Sequence, residues 1–245
     1  MRYPNCIFDL YGTLVDIHTD ESRPEFWKEM ADWYRSFGAD YPPEQLHQAY
    51  LQAVAQREQG TRILRKDAHE AHPEIQLEQV FLQLFLDKGV SADLALAIRT
   101  GERFREASID YIRLYDGAVE LLKVLRANGQ KVYLLSNAQR IFTSCELRML
   151  GIEPLFDAIY LSSDYGCKKP DRRFFELPLK EHGISPDSAI MVGNDGVCDI
   201  QGARELGLAT VYIRSNISPQ EPLPQADYVL QSMDLDRVRQ ILTQN

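Results

Sequence analysis

Two textures of hydrophobic patterning divide the chain. From Glu25 to about Ile112, apolar residues recur every three to four positions, the spacing of one face of a helix. The stretch "PEFWKEMADWYRSFG" carries Pro24 in its first turn, lines up Phe26, Met30, Trp33 and Phe37, and stops at Gly38. "PPEQLHQAYLQAVAQ", "PEIQLEQVFLQLFLDKG" and "SADLALAIRTGERFREASIDYI" repeat that logic, and no segment among them reads as a strand. The expectation is a bundle of four helices, with no internal repeat or low-complexity segment.

From Tyr115 onward, short apolar runs alternate with amphipathic stretches. "GAVELLKVLRANG" predicts a helix that ends at Gly129, followed by a strand in "KVYLLSN" and a helix in "FTSCELRMLGI". "AIYLSS", "SAIMVGN", "LATVYIR" and "DYVL" predict further strands, with helices in "DRRFFELPLKEHG" and "DIQGARELG"; Pro178 should kink or end the first of these early. Strands that are apolar throughout and separated by helices form a parallel sheet covered on both faces. With "CIFD" as a first strand, the pattern predicts an α/β fold, a doubly wound parallel sheet with an all-helical domain inserted after strand one. The core would comprise residues 1–16 and 113–245 and the insert residues 17–112, with hinges at Asp16 to Arg23 and around Ile112 to Gly117.

Composition narrows the class of partner. A chain of 245 residues, 44% apolar and 26% charged, is an ordinary globular sequence with ample length for a core. Its net charge of −9 argues against a nucleic-acid or anionic-membrane surface, which needs clustered Lys and Arg. An anionic small molecule can still bind if positive charge is local or comes from a metal ion. The four cysteines, Cys6, Cys145, Cys167 and Cys198, lack C-x-x-C spacing and read as reduced thiols. "MRYPNCIFDL" meets Asp9 before any apolar run long enough for a signal peptide, and no run approaches a membrane span, so the expected location is cytoplasmic. The expected assembly is a monomer or homodimer.

Chemistry in open parallel sheets collects beyond the carboxyl ends of the strands. The residues closing the strands here are Asp9, Ser136-Asn137, Ser162-Ser163-Asp164 and Gly193-Asn194-Asp195. They are small, polar or acidic, which a purely structural edge would not require. Asp9 in particular ends an apolar strand just before the tight-turn signal Gly12-Thr13, where a carboxylate is costly unless paired, hydrogen-bonded or on a metal.

Four segments, "DLYGTLVD", "LLSN", "GCKKPDRRFF" and "MVGNDGVCDIQGA", in this order and spacing resemble the motifs of the haloacid dehalogenase superfamily of hydrolases. "YDGAVELLKVLRANG" resembles the first core helix after that superfamily's cap, and the inserted helices resemble its helical cap in position and texture. The resemblance implies Asp9 as the nucleophile of an aspartyl intermediate, with Tyr11 and Thr13 beside it. It implies Ser136 and Asn137 as hydrogen-bond donors to the transferring group, and Lys169, rather than Lys168, as the cation between nucleophile and substrate. Asn194, Asp195 and Asp199 would hold Mg²⁺ together with Asp9 and the backbone carbonyl of Tyr11. Mg²⁺ takes oxygen ligands from a few carboxylates and offsets the repulsion between a carboxylate and a phosphoryl group. The alternative for Asp195 and Asp199 is that they cap the following helix.

Two positions depart from the superfamily's phosphatase pattern. Tyr11 stands where those enzymes place an acid/base Asp, and Asn194 stands where their metal motif begins with Asp. Tyr at position 11 resembles the 2-haloacid dehalogenases, whose halide leaves without a proton; Asp195 and Asp199 point back to Mg²⁺ and phosphoryl transfer. The expected function is therefore a Mg²⁺-dependent phosphohydrolase for a small anionic substrate, restricted by Tyr11 to good leaving groups such as acyl phosphates. The alternatives are a metal-independent 2-haloacid dehalogenase, a C–P bond hydrolase using Lys28, Lys66 or Lys88, and a catalytically silent phosphate-binding protein. Other candidates for substrate contact are Arg62, Arg65, Lys66, His69 and His72 in "RILRKDAHEAH", the aromatic residues Trp27, Trp33, Tyr34 and Tyr41, and Arg23 or Arg35. His69 and His72 also have the helical spacing of a zinc pair, although no third ligand is in view.

Overall fold

Six parallel strands form the central sheet of the computed structural model, which describes residues 2–64 and 72–244. They are β1 (Asn5–Phe8), β4 (Lys131–Ser136), β5 (Ala158–Leu161), β6 (Ala189–Gly193), β7 (Ala209–Ile213) and β8 (Tyr228–Leu230), in the order β5-β4-β1-β6-β7-β8. Successive side chains of a strand point to opposite faces, and here both faces are apolar. Cys6, Phe8, Val132, Leu134, Ile190 and Val192 pack with helices α5 (Ala118–Ala127) and α10 (Leu235–Thr243). Ile7, Tyr133, Leu135 and Met191 pack on the other face with α8 (Arg172–Glu181) and the short α9 (Gly202–Glu205). The doubly wound expectation therefore holds, and α10 adds a helix that the sequence pattern did not pick out.

Between β1 and β4 lie α1 (Pro24–Ser36), α2 (Pro43–Leu64), α3 (Leu77–Leu86) and α4 (Leu94–Ser108). They share their own core, in which Phe26, Trp27, Met30, Ala31 and Tyr34 of α1 are buried. The buried stripe thus keeps Phe26 and Met30 but shifts one position later than the spacing suggested, to Tyr34 in place of Trp33, with Trp33 and Phe37 half-buried beside it. Two residues of the core domain's α6 (Arg140–Met149), Ile141 and Phe142, join this cluster.

The expectation that the stretch from Glu25 to about Ile112 holds no strand fails at its C-terminal end. β2 (Val15–Thr19) pairs antiparallel with β3 (Ile109–Leu114), a two-stranded ribbon joining sheet and helices. Ile109 and Ile112 are spaced as on a helix, so periodicity extended α4 through them; pairing with β2 decides otherwise. The ribbon also crosses both boundaries drawn at residues 16/17 and 112/113. Pro178 lies inside α8, which runs on to Glu181. It stands within one turn of the helix end, where few hydrogen bonds are at stake, and its ring is buried. Among the described residues no helix is long and apolar enough to cross a membrane.

Candidate active site

β1 lies between β4 and β6, with Phe8 in register with Leu134 and Val192. The sheet therefore brings Asp9, Ser136 and Asn194 together at adjacent strand ends, although they are far apart in sequence. Asp9 is 7% exposed, and its backbone N–H continues the ladder onto Val192 O at 3.0 Å. The chain then turns through Gly12 at φ +85°, and a Cβ there would lie 2.2 Å from Asn194 Nδ2. Only glycine meets both demands, the left-handed backbone and the close approach. Thr13 follows, fully buried, and its hydroxyl lies 3.4 Å from Asp9 Oδ2 and 3.3 Å from Asn194 Oδ1.

Lys169 is 2% exposed and donates to Asp9 Oδ1 at 2.6 Å and to Asp199 Oδ1 at 2.7 Å. Burial alone would lower its pKa, but the charges of Asp199 and Asp9 outweigh that and raise it, so the ammonium stays protonated. Asp199 is pushed above the carboxylate range by burial, against the pull of Lys169. Asn137 clamps the lysine's backbone: its Oδ1 accepts from Lys169 N at 2.7 Å and its Nδ2 donates to Lys169 O at 3.0 Å. Ser136 donates to Asp9 Oδ1 at 3.3 Å. Lys168 is half-buried and its N–H bonds to His72 O at 2.9 Å, outside the cleft.

A cleft of about 210 Å³ opens over these groups, lined by Asp9, Tyr11, Ser136, Asn137, Lys169, Asn194, Asp195 and Asp199 together with Cys198, Ile217 and Pro219. The last three escaped the sequence reading. Cys198 had only its place inside a motif, and Ile217 and Pro219 lie in a loop beyond β7 without a chemical signature.

Other candidates belong elsewhere. Ser162 and Ser163 begin a helical turn, α7 (Ser162–Tyr165), and their hydroxyls accept from Ala138 N and Arg140 N, while Asp164 pairs with Arg140. Trp27, Tyr34 and Tyr41 are buried in the helical cluster, and Trp33 donates to Thr100 Oγ1 at 2.9 Å. Arg23 holds Ala107 O and Asp110, and exposed Arg35 pairs with Asp32 and Asp40. Lys28 is exposed, and the Lys88 ammonium sits 4.2 Å from the Tyr41 ring centre. The side chains of Arg62, Arg65, Lys66 and His69 fall outside the described residues, and His72 is an exposed neighbour of Lys168.

The Tyr11 ring borders the cleft, but its hydroxyl is turned away from Asp9. It lies 2.9 Å from Thr143 Oγ1 and donates to Glu146 Oε2, both on α6. Burial, reinforced by the neighbouring Glu146 charge, pushes this phenol well above its ordinary range. The Tyr11 hydroxyl is therefore engaged by α6. Glu146 and Thr143 were invisible to sequence reading because they occupy ordinary positions of an amphipathic helix.

The metal expectation changes in detail. Among the described residues no three His, Cys, Asp or Glu side chains converge as a metal-ion group. Asp199 is committed to Lys169 and to Asp195 N, and Asp195 caps the single helical turn Gly196–Gln201 through Val197 N and Cys198 N. The capping alternative is thus realised for Asp195. Mg²⁺, however, needs only one or two carboxylates and completes its shell with neutral oxygens and water. Asp9 Oδ2 and Asn194 Oδ1 border the same threonine hydroxyl, and among the described residues the carboxyl groups of Asp9, Asp195 and Asp199 line the cleft with one ammonium, that of Lys169. A set of oxygen donors in which carboxyl groups outnumber ammonium groups fits a hard divalent cation.

Comparison with known proteins bears on this site. The profile describing haloacid dehalogenase-like hydrolases matches residues 3–207. A glyceraldehyde 3-phosphate phosphatase of Methanocaldococcus jannaschii is 30% identical over 131 residues, which is 53% of this chain and 58% of that protein. The match thus spans little more than half the length of that relative. A 5'-nucleotidase of Pseudomonas aeruginosa is 25% identical over 243 residues, covering 99% of this chain and 96% of its own. Among solved structures, a 2-haloacid dehalogenase from Pseudomonas syringae superposes with a TM-score of 0.63 at 20% identity, covering 99% of this chain and 98% of that one. At such identity the likeness concerns the fold alone.

Proposed function

We propose, from the premise that this chain belongs to the haloacid dehalogenase-like hydrolase family, that it is a phosphohydrolase for a small phosphorylated substrate, with Mg²⁺ as cofactor. The observation that carries this reading is the make-up of the cleft, where among the described residues the carboxyl groups of Asp9, Asp195 and Asp199 stand against one ammonium, that of Lys169. Such a site repels an anionic substrate unless a cation is added. Asp9, Asn194 and the carbonyl of Tyr11 would hold the ion, which lowers repulsion between nucleophile and phosphoryl group when bound.

In the first half-reaction a carboxylate oxygen of Asp9 bonds to phosphorus as the bond to the leaving oxygen breaks, and that oxygen departs with the electron pair. Water then attacks phosphorus, releasing phosphate and restoring Asp9. Lys169 and Ser136, both bonded to Asp9 Oδ1, fix the carboxylate's orientation and leave Oδ2 toward Thr13 and Asn194. With the Tyr11 hydroxyl held by Glu146, no phenol protonates the departing oxygen, so substrates whose leaving group is stable unprotonated, such as acyl phosphates, suit the site. The helices α1 to α4 would act as a cap that excludes water and selects substrate.

Tyr11 and Asn194 favour a second reading, a 2-haloacid dehalogenase. Against it, no arginine lines the cleft among the described residues to hold the substrate carboxylate.

The test is hydrolysis of acetyl phosphate and p-nitrophenyl phosphate with Mg²⁺ and with EDTA, using Asp9→Asn as control. The expected result is Mg²⁺-dependent turnover, faster on acetyl phosphate and abolished by the substitution. Halide release from 2-chloropropionate in EDTA, with both phosphates untouched, would replace this reading by the dehalogenase.

A further inference from the structure

Glu146 is a buried carboxylate, 5% exposed, whose partners come from two different parts of the molecule. Oε1 accepts from Arg105 Nε at 2.6 Å, and Arg105 belongs to α4 of the helical insert. Oε2 accepts from the hydroxyl of Tyr11, two residues beyond the nucleophile. The Arg105 guanidinium also lies 5.0 Å from the Phe142 ring centre and 5.7 Å from that of Tyr11, so it covers the phenol it influences. A carboxylate this buried is costly without a charged partner, and the insert supplies that partner.

A second, independent feature brings the two helices together. Gly101 on α4 faces Ile141 on α6, and a Cβ at Gly101 would lie 2.4 Å from Ile141 Cδ1. Phe104 of α4 stacks on Phe142 of α6, with planes 5° apart. Packing therefore delivers Arg105 to Glu146 only when α4 is seated on α6.

We infer that Arg105 and Glu146 are positioning residues that couple seating of the helical insert to the geometry of the Asp9 loop, acting through the Tyr11 hydroxyl. Their effect on turnover rests on the phosphohydrolase reading above; the coupling itself does not. With α4 seated, Arg105 neutralises Glu146, Glu146 fixes Tyr11, and Tyr11 pins the turn that follows Asp9. With α4 displaced, Glu146 loses its charge partner and the ring that walls the cleft loses its anchor. The residue standing where an acid/base would be expected thus serves as a mechanical contact between insert and nucleophile.

The experiment uses the full-length protein with Arg105→Ala, Arg105→Lys, Tyr11→Phe and the Arg105→Ala/Tyr11→Phe double variant. Hydrogen exchange is followed at Gly12, Thr13, Leu14 and Val15, whose amides bond back within the turn or to Val15 O. Exchange there should quicken ~10-fold in Arg105→Ala, as expected of a locally loosened unit, and recover in part with Lys. On acetyl phosphate, each single substitution should lower kcat ~10- to 100-fold, the cost of a slightly misplaced reacting group, with KM changing less. The double variant should be no worse than Arg105→Ala. Unchanged exchange at these four amides would overturn the coupling even if the wild-type protein hydrolyses no phosphate. Additive losses in kcat would overturn it too, since they would mean that the two residues act separately. Faster exchange in a protein without phosphatase activity would support the coupling while removing the phosphohydrolase reading.

Discussion

Asn194 shows how a neutral side chain can serve at a position where charge is expected. Its Oδ1 faces the Thr13 hydroxyl at 3.3 Å, while its Nδ2 lies 3.5 and 3.4 Å from the hydroxyls of Ser215 and Ser218. The serines hold the amide end, so the carbonyl end faces the nucleophile's side of the cleft. Replacing Asn194 by Asp keeps the shape and adds a ligand charge to a cleft already short of cations. Metal affinity rises with ligand charge, so the apparent Mg²⁺ dissociation constant should fall ~10-fold. Melting temperature titrated against Mg²⁺ reads this directly: the variant should start below wild type without the ion and gain more with it. Weaker or unchanged Mg²⁺ stabilisation would show that position 194 is not a ligand. None of the serine contacts could be read from sequence, because Ser215 and Ser218 lie more than twenty residues away in a loop without periodicity.

At the scale of elements, the β2–β3 ribbon depends on one buried acid. Asp16 is 3% exposed and accepts from Arg113 Nε at 2.9 Å and Nη2 at 2.7 Å, from Tyr111 at 3.2 Å and from Asn216 at 2.8 Å. Burial by itself would raise its pKa, but the hydrogen bonds from Asn216, Arg113 and Tyr111 prevail and hold it below the usual range. The unfolded chain therefore takes up a proton at higher pH than the native one does. The stabilisation is complete above about pH 4, the unfolded value, and is lost as pH falls through the lower native value. Asp16→Asn should cost about 1–3 kcal/mol at neutral pH, the worth of hydrogen bonds to a charged group. In melting-temperature profiles the gap between wild type and variant should narrow below about pH 4; parallel profiles would place the acid's stabilising role elsewhere.

The same ribbon marks the limit of what patterning reveals. The sheet strands were legible because Phe8, Leu134 and Val192 face one layer and Ile7, Leu135 and Met191 the other, giving unbroken apolar runs. Their polar ends then pointed to Asp9, Ser136 and Asn194, while Lys169, between α7 and α8, was pointed to by the motif resemblance alone. β3 alternates only weakly, with Ile109 and Ile112 half-buried, and its identity depends on a partner strand some ninety residues away. The destination of the Tyr11 side chain is hidden for the same reason: it is set by Glu146, which becomes its neighbour only once α6 has packed.

For the whole molecule, the question is how firmly the helical insert sits on the sheet domain. It is joined at the ribbon, at the α4–α6 contact, and along His72 to Leu77, where Lys168 N, Gln139 and Ser162 bond to the chain between α2 and α3. Two glycines separate helix propensity from this docking. Among the described residues nothing lies within 4 Å of a Cβ added at Gly60 in α2, so Gly60→Ala should gain up to about 1 kcal/mol, the helix-propensity difference. Gly101 in α4 offers the same propensity gain, but its Cβ would meet Ile141 Cδ1 at 2.4 Å and Phe81 Cε2 at 3.2 Å. Ile141 is wedged into the helical cluster, so relief means moving α4 from α6 at an overpacking cost of about 1–3 kcal/mol. The same substitution should therefore raise the melting temperature at position 60 and lower it at 101. Differential scanning calorimetry of the two variants measures both signs. Stabilisation at both positions would mean that Ile141 yields freely and that the insert is seated more loosely than its contacts indicate.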